Sequence, residues 1–302
     1  MMKYLLNEKF TQFRLALSGL SILLLLVSAL FIGFKGFNWG LDFTGGVVAE
    51  VQLDQQLQAN DIKAYLDQTL GQDVQLIKSM ESGQWTIRYN HEGVSDTSIA
   101  EYLSPISETI NILSSSIVGP QVGQEMVEQG GLAVLVCMLL IMCYLSIRFD
   151  WRLASGALLA LITDIIIVLG VFAVFQLEFN LTVLAALLAI LGYSLNDSII
   201  IADRVREVMR LKPNGETDTI INDAVKATFS RTMVTSGTTL VTVSSLWLVG
   251  GASLQGFSIA LFVGIICGTC SSVALAVTLP QLFGLSPKDY IVIPIDIEDS
   301  YS

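Results

Sequence analysis

Charged side chains are scarce in this chain of 302 residues. Asp, Glu, Lys and Arg together make up 14% of it, against 53% hydrophobic residues. A soluble globular domain carries about 25% charged residues, which help to cover its surface. The shortage excludes a soluble globule and predicts a protein that faces lipid over much of its surface. The acidic residues behind the net charge of −11 lie mostly outside the apolar runs.

Cysteine and histidine are also scarce, with four and one in the whole chain. Cys267 and Cys270 form a C-x-x-C pair inside an apolar helix, so helix packing is favoured over redox chemistry. Cys137 and Cys143 also lie within apolar stretches. His91 is interpreted as a surface residue on a polar turn. No Gly-rich lysine loop of the Walker type occurs. We therefore expect no metal site, no cofactor and no enzymatic chemistry such as ATP hydrolysis.

Long apolar runs, by contrast, are abundant. A helix needs about 20 apolar residues to cross the hydrocarbon layer of a membrane. Six segments approach or exceed that length, and the first lacks a signal-peptidase site of the A-x-A type, so it is expected to remain as an uncleaved anchor. The six predicted spans are 16–34, 130–147, 153–175, 181–201, 232–250 and 255–280.

Lysine and arginine are distributed unevenly around these spans, which predicts the orientation. Basic residues gather in the first 15 residues, in the loop after the second span and in the segment 202–231. The positive-inside rule therefore predicts a cytoplasmic N-terminus at 1–15, a cytoplasmic segment at 202–231 and a cytoplasmic tail at 281–302. The polar segment 35–129 is predicted to form a domain on the other side, between the first span and the five helices within 130–280.

The segment 35–129 has the pattern of a small α+β domain. Strands are predicted at 46–53, 74–79, 85–89 and 112–118, the middle two joined by a turn at 81–83. One helix is predicted to be capped by Asn60 and stopped by Gly71, and a second to begin at Asp96 with a kink at Pro105. The order β-α-β-β-α-β is that of a ferredoxin-like, split βαβ domain.

Two acidic residues lie inside predicted spans. A charged side chain near the centre of a bilayer costs about 2.5 to 3.5 kcal/mol on insertion scales, so such residues mark functional sites. Asp164 lies in the third span and Asp197 in the fourth. The two helices run antiparallel, which puts both carboxylates in the middle or cytoplasmic half of the bundle.

Polar residues accompany Asp197. Ser194 and Asn196 are its neighbours in the fourth span, and the fifth span begins with Arg231. Four threonines follow Arg231 at spacings of three or four, which aligns their hydroxyls on one helical face: Thr235, Thr238, Thr239 and Thr242. Such a face could hold a chain of water, and an Asp197 that alternates between a protonated state and a pair with Arg231 would carry protons.

A structural alternative stands beside this interpretation. Serine and threonine in membrane helices often donate to their own backbone carbonyls, and a buried aspartate can be a static clamp between helices. The G-x-x-x-G spacing of Gly264 and Gly268 predicts a close approach to a neighbouring helix, without naming that helix.

Several motifs resemble those of one family. The sequence Gly-Leu-Asp-Phe-Thr-Gly-Gly at 40–46 resembles the signature that opens the periplasmic domain in the SecD/SecF family of protein-export membrane proteins. Further motifs resemble those of the SecF members in the same order, and the match extends over nearly the whole chain. They are Arg-Phe-Asp-Trp-Arg at 148–152, Leu-Glu-Phe-Asn-Leu-Thr-Val at 177–183, Gly-Tyr-Ser-Leu-Asn-Asp at 192–197, Asp-Arg-Val-Arg-Glu at 203–207 and Ser-Arg-Thr-Met-Val-Thr-Ser at 230–236.

The resemblance implies an α-helical polytopic membrane protein with six transmembrane helices, similar to half of a resistance-nodulation-division transporter, plus the periplasmic domain. It implies a bacterial inner-membrane location, SecD as the partner around a pseudo-twofold axis, and the SecYEG channel, SecA and an unfolded preprotein as further partners, with no role for nucleic acid. The implied activity is use of the proton gradient in late steps of preprotein export.

Residue roles follow from the same resemblance. Asp197 and Arg231 would form the proton-coupling pair. The residues themselves, apart from the resemblance, add Asp164 as a further candidate and Ser194, Asn196, Thr235 and Thr239 as a candidate polar relay. Gly40, Asp42, Phe43, Gly45 and Gly46 would couple the domain to the first span.

Two departures from the family pattern matter. Thr163 precedes Asp164 where SecF proteins commonly have histidine, which weakens any proton relay through that histidine. Ala202 stands where phenylalanine is common, and only a change in packing is expected there. Two other functions remain open: a scaffold subunit without transport activity, and an exporter of small amphiphiles. Sodium could also replace protons, since a carboxylate with hydroxyls suits either ion.

Overall fold

Six long helices and one small sheet domain make up the fold. The computed structural model describes residues 2–54, 57–72, 74–78, 83–89, 99–107 and 109–290. Within them, six helical segments are long and apolar enough to cross a membrane, which confirms the predicted number of spans. The spanning elements are α1 (Met2–Lys35), α5 (Pro120–Arg148), α6 (Trp151–Phe175), α7 (Leu181–Leu211), α8 (Thr217–Val249) and the consecutive pair α9 (Ala252–Val273) and α10 (Leu275–Leu282).

Short elements fill the segment between α1 and α5 and the turn after α6. Strand β1 (Asn38–Trp39) pairs in parallel with β6 (Glu178–Phe179), which lies between α6 and α7. The remaining elements are α2 (Leu41–Thr44), β2 (Gly46–Gln52), α3 (Ala59–Leu70), β3 (Gln75–Lys78), β4 (Gln84–Tyr89), α4 (Ile99–Leu103) and β5 (Asn111–Val118). A single turn of 3-10 helix follows α10 at Pro287–Tyr290.

The sheet domain has the predicted topology. Its four strands lie in the order β3-β4-β2-β5 and every neighbouring pair is antiparallel. With α3 after β2 and α4 after β4, this is the split βαβ arrangement of a ferredoxin-like domain. Both helices bury apolar residues against one face of the sheet, where the core includes Ile62, Leu66, Trp85, Ile87 and Leu103.

Three local expectations about this domain meet different outcomes. Asn60 does not cap α3: the residue before the helix is Gln58, and Asn60 lies exposed in the first turn. Gly71 does end α3, in the left-handed conformation that glycine adopts without steric cost. Pro105 lies beyond α4, which ends at Leu103, so it follows that helix instead of kinking it. Most of the turn at 81–83, Asp96 and His91 fall outside the described residues.

The spanning helices are longer than their apolar runs. Helix α7 continues to Leu211 and α8 begins at Thr217, so most of the predicted connection 202–231 is helical and only 212–216 links the two. The extensions are amphipathic and pack on each other and on α6 through a shared apolar core. A criterion based on unbroken hydrophobicity misses such extensions, because half of each surface is polar. Helix α5 likewise begins at Pro120, ten residues before the predicted span.

Close helix crossings depend on small residues. A Cβ atom added to Gly264 would come within 2.5 Å of the Ile190 side chain, and one added to Gly268 within 3.1 Å of Ser194. The G-x-x-x-G spacing therefore packs α9 against α7, which confirms the predicted close approach and names its partner helix. At the crossing of α1 and α6, a Cβ on Gly170 would come within 2.7 Å of the Ser28 backbone.

We expect Gly170→Ala to destabilise the helical bundle by about 1 to 3 kcal/mol, because a methyl group there overpacks the contact with α1. The measurement is thermal unfolding of the purified protein in detergent. Gly33→Ala is the matched control, since a Cβ at Gly33 on α1 meets no protein atom within 4 Å. Equal losses for both variants would contradict the interpretation that the α1 and α6 crossing requires Gly170.

Candidate functional site

The first predicted site residue, Asp164, is enclosed by three helices. It lies on α6 with an exposed fraction of 0%, and its Oδ2 accepts a 2.6 Å hydrogen bond from the Ser194 hydroxyl on α7. Gly268 of α9 closes the third side, since a Cβ there would lie 3.4 Å from Asp164 Oδ2. Thr163, at the position where histidine was expected from the family, donates instead to the Leu159 carbonyl of its own helix.

The second predicted acid, Asp197, lies on α7 with an exposed fraction of 1%. Its Oδ2 has no hydrogen-bond partner within the described part of the chain, and the same holds for Asp164 Oδ1, Ser198 Oγ and Thr232 Oγ1. Buried polar atoms are nearly always paired in folded proteins, so each of these four needs a water, a proton or an ion. These atoms belong to α6, α7 and α8.

Ser194 connects the two acids. It bonds Asp164 directly and precedes Asp197 by three residues on α7, a spacing that places side chains about 5 to 6 Å apart on one helical face. The predicted relay member Ser194 thus bonds one carboxylate and lies about one helical turn from the other.

The predicted pair of Asp197 and Arg231 is not closed in this structure. Asp197 lies 14 residues before the end of α7 and Arg231 lies 14 residues after the start of α8, so both are about 21 Å from the linking turn. Among the described residues, the two side chains form no ion pair within 4.0 Å. The Arg231 side chain is exposed on the outer face of α8.

The threonine row of α8 follows the structural alternative. The hydroxyls of Thr235, Thr238, Thr239 and Thr242 each donate to a backbone carbonyl three or four residues earlier. Their donors are thus occupied by their own helix, although each hydroxyl can still accept a hydrogen bond. Asn196 lies on the exposed face of α7, away from the enclosed cluster.

A second polar line links the same helices and was not predicted. The Tyr193 hydroxyl on α7 donates to Ser236 on α8, whose hydroxyl is 2.7 Å from that of Thr269 on α9. Ser236 follows Thr232 by one helical turn, so the spacing of buried hydroxyls along α8 was the available signal. Thr269 precedes Ser271 and Ser272 by two and three residues, so this group of hydroxyls in the sixth span was the available signal on α9.

The segment 40–46 lies where the sheet domain meets the bundle. The Gly40 amide donates to the Phe179 carbonyl at 2.8 Å, and the Phe43 ring stacks on the Phe179 ring. Gly45 and Gly46 have positive φ values of 76° and 150°, which side-chain-bearing residues rarely adopt, and a Cβ on Gly46 would come within 2.7 Å of a backbone oxygen. The two glycines allow the chain to turn sharply from α2 into β2.

Asp42 ties this segment to α7. Its Oδ2 accepts from the backbone amide of Leu181, the first residue of α7, at 3.0 Å, while Asn180 caps the same helix by accepting from Val183. A carboxylate at a helix N-terminus satisfies an unpaired amide and interacts favourably with the helix dipole. On the other side, Gly123 of α5 approaches so closely that a Cβ would lie 2.5 Å from the Phe43 carbonyl oxygen.

An ion pair joins the sheet to the same turn. The Arg88 guanidinium on β4 donates to Glu178 Oε1 on β6 at 2.9 Å, and both side chains are about one-fifth exposed. Burial raises the pKa of the Glu178 carboxyl above its ordinary value, and the nearby Asp42 charge raises it further, while Arg88 opposes the shift.

No group of three or more His, Cys, Asp or Glu side chains that could hold a metal ion occurs in the described residues.

Comparison with known proteins yields family matches over most of the chain. Residues 98–285 match the family described as protein export membrane protein SecD/SecF, C-terminal, and residues 30–57 match the SecD/SecF GG motif. The chain is 40% identical over 280 residues to protein translocase subunit SecF of Vibrio alginolyticus, covering 91% of this chain and 89% of that one. It is 37% identical over 274 residues to protein translocase subunit SecF of Escherichia coli O157:H7, covering 88% and 85%.

Solved structures give the same result. The crystal structure of SecDF from Thermus thermophilus, described as a translocon-associated membrane protein, matches with a TM-score of 0.80 and 31% identity. That match covers 91% of this chain but 38% of the SecDF chain. SecDF in its super-membrane-facing form matches with a TM-score of 0.68 and 32% identity, covering 88% of this chain and 37% of that one. The chain therefore belongs to the SecD/SecF family of protein export membrane proteins, as a multi-pass subunit of the SecF type.

Proposed function

We propose that this subunit, together with SecD, uses the proton gradient to promote late steps of preprotein translocation on the periplasmic side of the SecYEG channel. The observation that carries the proposal is the pair of enclosed carboxylates, Asp164 and Asp197, each with an unpaired oxygen, and the hydrogen bond from Ser194 to Asp164 one helical turn from Asp197. Such oxygens can accept a proton or a water without displacing an existing hydrogen bond.

The absence of an ion pair between Arg231 and Asp197 fits one stage of a proton-transport cycle. A carboxylate that holds a proton needs no counter-ion, whereas an ionised carboxylate at this depth requires one. Arg231 and Asp197 lie at the same distance from the linking turn, so the two residues are at a similar depth on neighbouring helices. Alternation between a protonated Asp197 and an Asp197 paired with Arg231 would bind and release one proton per cycle.

The driving force is adequate without nucleotide. Each elementary charge that crosses the membrane potential gains about 2.3 kcal/mol per 100 mV. A transition between two packings that differ by a few kcal/mol can be driven by such a step.

Transmission to the outer domain would run through α7. Helix α7 carries Ser194 and Asp197 in its middle, and its N-terminus is held by Asp42 of the segment 40–46. A shift of α7 would therefore also move the segment 40–46 and, with it, the start of β2. We propose the domain-coupling role of Gly40, Asp42, Phe43, Gly45 and Gly46 on this basis.

The exposed polar groups support assembly with SecD. Arg231 and Asn196 lie on outer faces of α8 and α7, although charged and amide groups inside a membrane normally face protein or a water-filled cavity. A second set of helices against these faces would cover them. The proposal places both termini in the cytoplasm of a bacterial inner membrane, the sheet domain in the periplasm, and SecA upstream in the same export process.

A static role remains the second candidate, because the hydrogen bond from Ser194 to Asp164 and the line through Tyr193, Ser236 and Thr269 also join α6, α7, α8 and α9 mechanically. In that case the subunit is a scaffold for SecD and the channel, and the buried acids only fix the helix packing.

We expect Asp197→Asn to abolish gradient-dependent export while the complex with SecD assembles in normal amounts, since the amide keeps the shape but cannot exchange a proton. Export would be measured in inverted vesicles with imposed proton or sodium gradients, which also identifies the coupling ion. Glu207→Gln is the matched control, because it removes an exposed carboxylate from the same helix. Undiminished export by Asp197→Asn would exclude Asp197 from the mechanism.

The Ser194→Ala variant distinguishes a proton relay through Ser194 from a static contact that only fixes the helix packing. Loss of the hydroxyl leaves Asp164 without its donor, and we expect a stability loss of about 1 to 3 kcal/mol together with a severe loss of proton transport. Proton uptake into vesicles and thermal unfolding would be measured in parallel. Ser258→Ala on α9 is the control, since Ser258 is equally buried but only donates to its own helix. A stability loss with normal proton transport would support the clamp alone.

Asp42→Ala tests the link to α7. Loss of the cap is expected to cost about 1 kcal/mol and to reduce gradient-dependent export at normal complex abundance. Asp42→Asn keeps an oxygen that can accept from Leu181 and should retain most of the export. Equal export by wild type and both variants would show that coupling does not pass through this contact.

A further inference from the structure

A cavity of about 580 Å³ lies between the sheet domain and the outer ends of the spanning helices. All four residues of β3 line it on one side, and the turn between α6 and α7 and the start of α9 line it on the other. Successive side chains of a strand point to opposite faces of the sheet, so a cavity that touches four in a row runs along the strand's edge. The cavity therefore follows the open edge of β3.

That edge has unused hydrogen-bonding groups. In the described residues, β3 is the outermost strand and pairs with β4 alone. In an antiparallel pair, every second residue directs its amide and carbonyl away from the partner strand. Either Gln75 and Ile77 or Leu76 and Lys78 thus direct backbone groups into the cavity. An extended polypeptide is the ligand that can satisfy such a row of alternating donors and acceptors.

The other lining groups favour a polypeptide over a small apolar molecule. Opposite the strand, the lining combines the polar Glu178, Asn180 and Gln255 with the apolar Leu177 and Ile259, which together can contact both the backbone and the side chains of a peptide. The charge of Glu178 is balanced by Arg88. The exposed Lys78 at the end of β3 gives the β3 side of the cavity a positive charge. A segment with neutral or acidic side chains fits this charge distribution.

We propose that β3 binds an extended segment of the translocating polypeptide as an added edge strand, next to the outer surface of the membrane. The inference rests on the proposed function, which supplies an unfolded preprotein as substrate. Gln75 is the register partner of Arg88, whose guanidinium holds Glu178 of the α6 to α7 turn. A strand added at β3 is therefore adjacent to the ion pair that ties the sheet domain to the bundle.

The test uses the full-length subunit with SecD in membranes that are translocating a preprotein arrested in mid-export. A photo-cross-linking amino acid replaces Leu76 or Ile77, and replacement of Asn60 is the control, since Asn60 is exposed on the same domain but outside the cavity. We expect a cross-link to the preprotein from both β3 positions and none from Asn60. Cross-links from β3 only to another subunit, or equal cross-links from Asn60, would overturn the proposal.

A disulfide series tests the geometry of the added strand. With Ile77→Cys in the subunit and one cysteine moved residue by residue along the preprotein, strand addition predicts a yield that alternates with a period of two. The wild-type subunit controls for the native cysteines. Lys78→Glu should reduce the yield for an acidic preprotein segment and not for a neutral one. A yield without alternation would contradict strand addition.

The outcome is distinguishable from failure of the proposed function. If export responds to the proton gradient and is lost in Asp197→Asn but no β3 cross-link forms, only the strand-addition proposal fails. If Asp197→Asn exports normally while β3 cross-links the preprotein, the proton-coupling proposal fails and the binding site stands.

Discussion

The burial of two carboxylates among tightly packed helices is the constraint on which the rest of the structure depends. Asp164 and Asp197 can be enclosed only because α9 approaches α6 and α7 at Gly268, where any side chain would crowd Ser194. In this setting an unpaired oxygen is costly, and the protein leaves one on each acid. Under the proposed function, these oxygens are left free to exchange a proton.

Helix α7 connects this enclosed cluster to the sheet domain. The N-terminus of this helix of 31 residues is held by Asp42, Asn180 and the parallel contact of β1 with β6. The ion pair of Arg88 and Glu178 attaches the sheet to the same turn. One junction thus joins the helix that carries Asp197, the glycine turn in 40–46 and the cavity along β3.

The isolated subunit leaves part of its site on the outside. Arg231 is exposed, and the donors of the threonine row below it are satisfied by their own helix. These groups form a polar stripe on a helix that otherwise faces lipid, an arrangement that a second membrane protein would stabilise by covering it. Association with SecD would therefore shield these polar groups from lipid, in addition to matching the shape of the subunit.

The sequence by itself determined the number of spans and the ferredoxin-like order of the sheet domain, and it singled out Asp164, Asp197 and Ser194 as candidates, because hydropathy, periodicity and the cost of a buried charge are local properties. It did not determine that Asp42 caps α7, that Ser194 bonds Asp164, or that Arg231 and Asn196 face outward. Those facts depend on how helices rotate and cross, which is set by the packing of residues far apart in the chain. Tertiary structure alone decided which polar residues form one site.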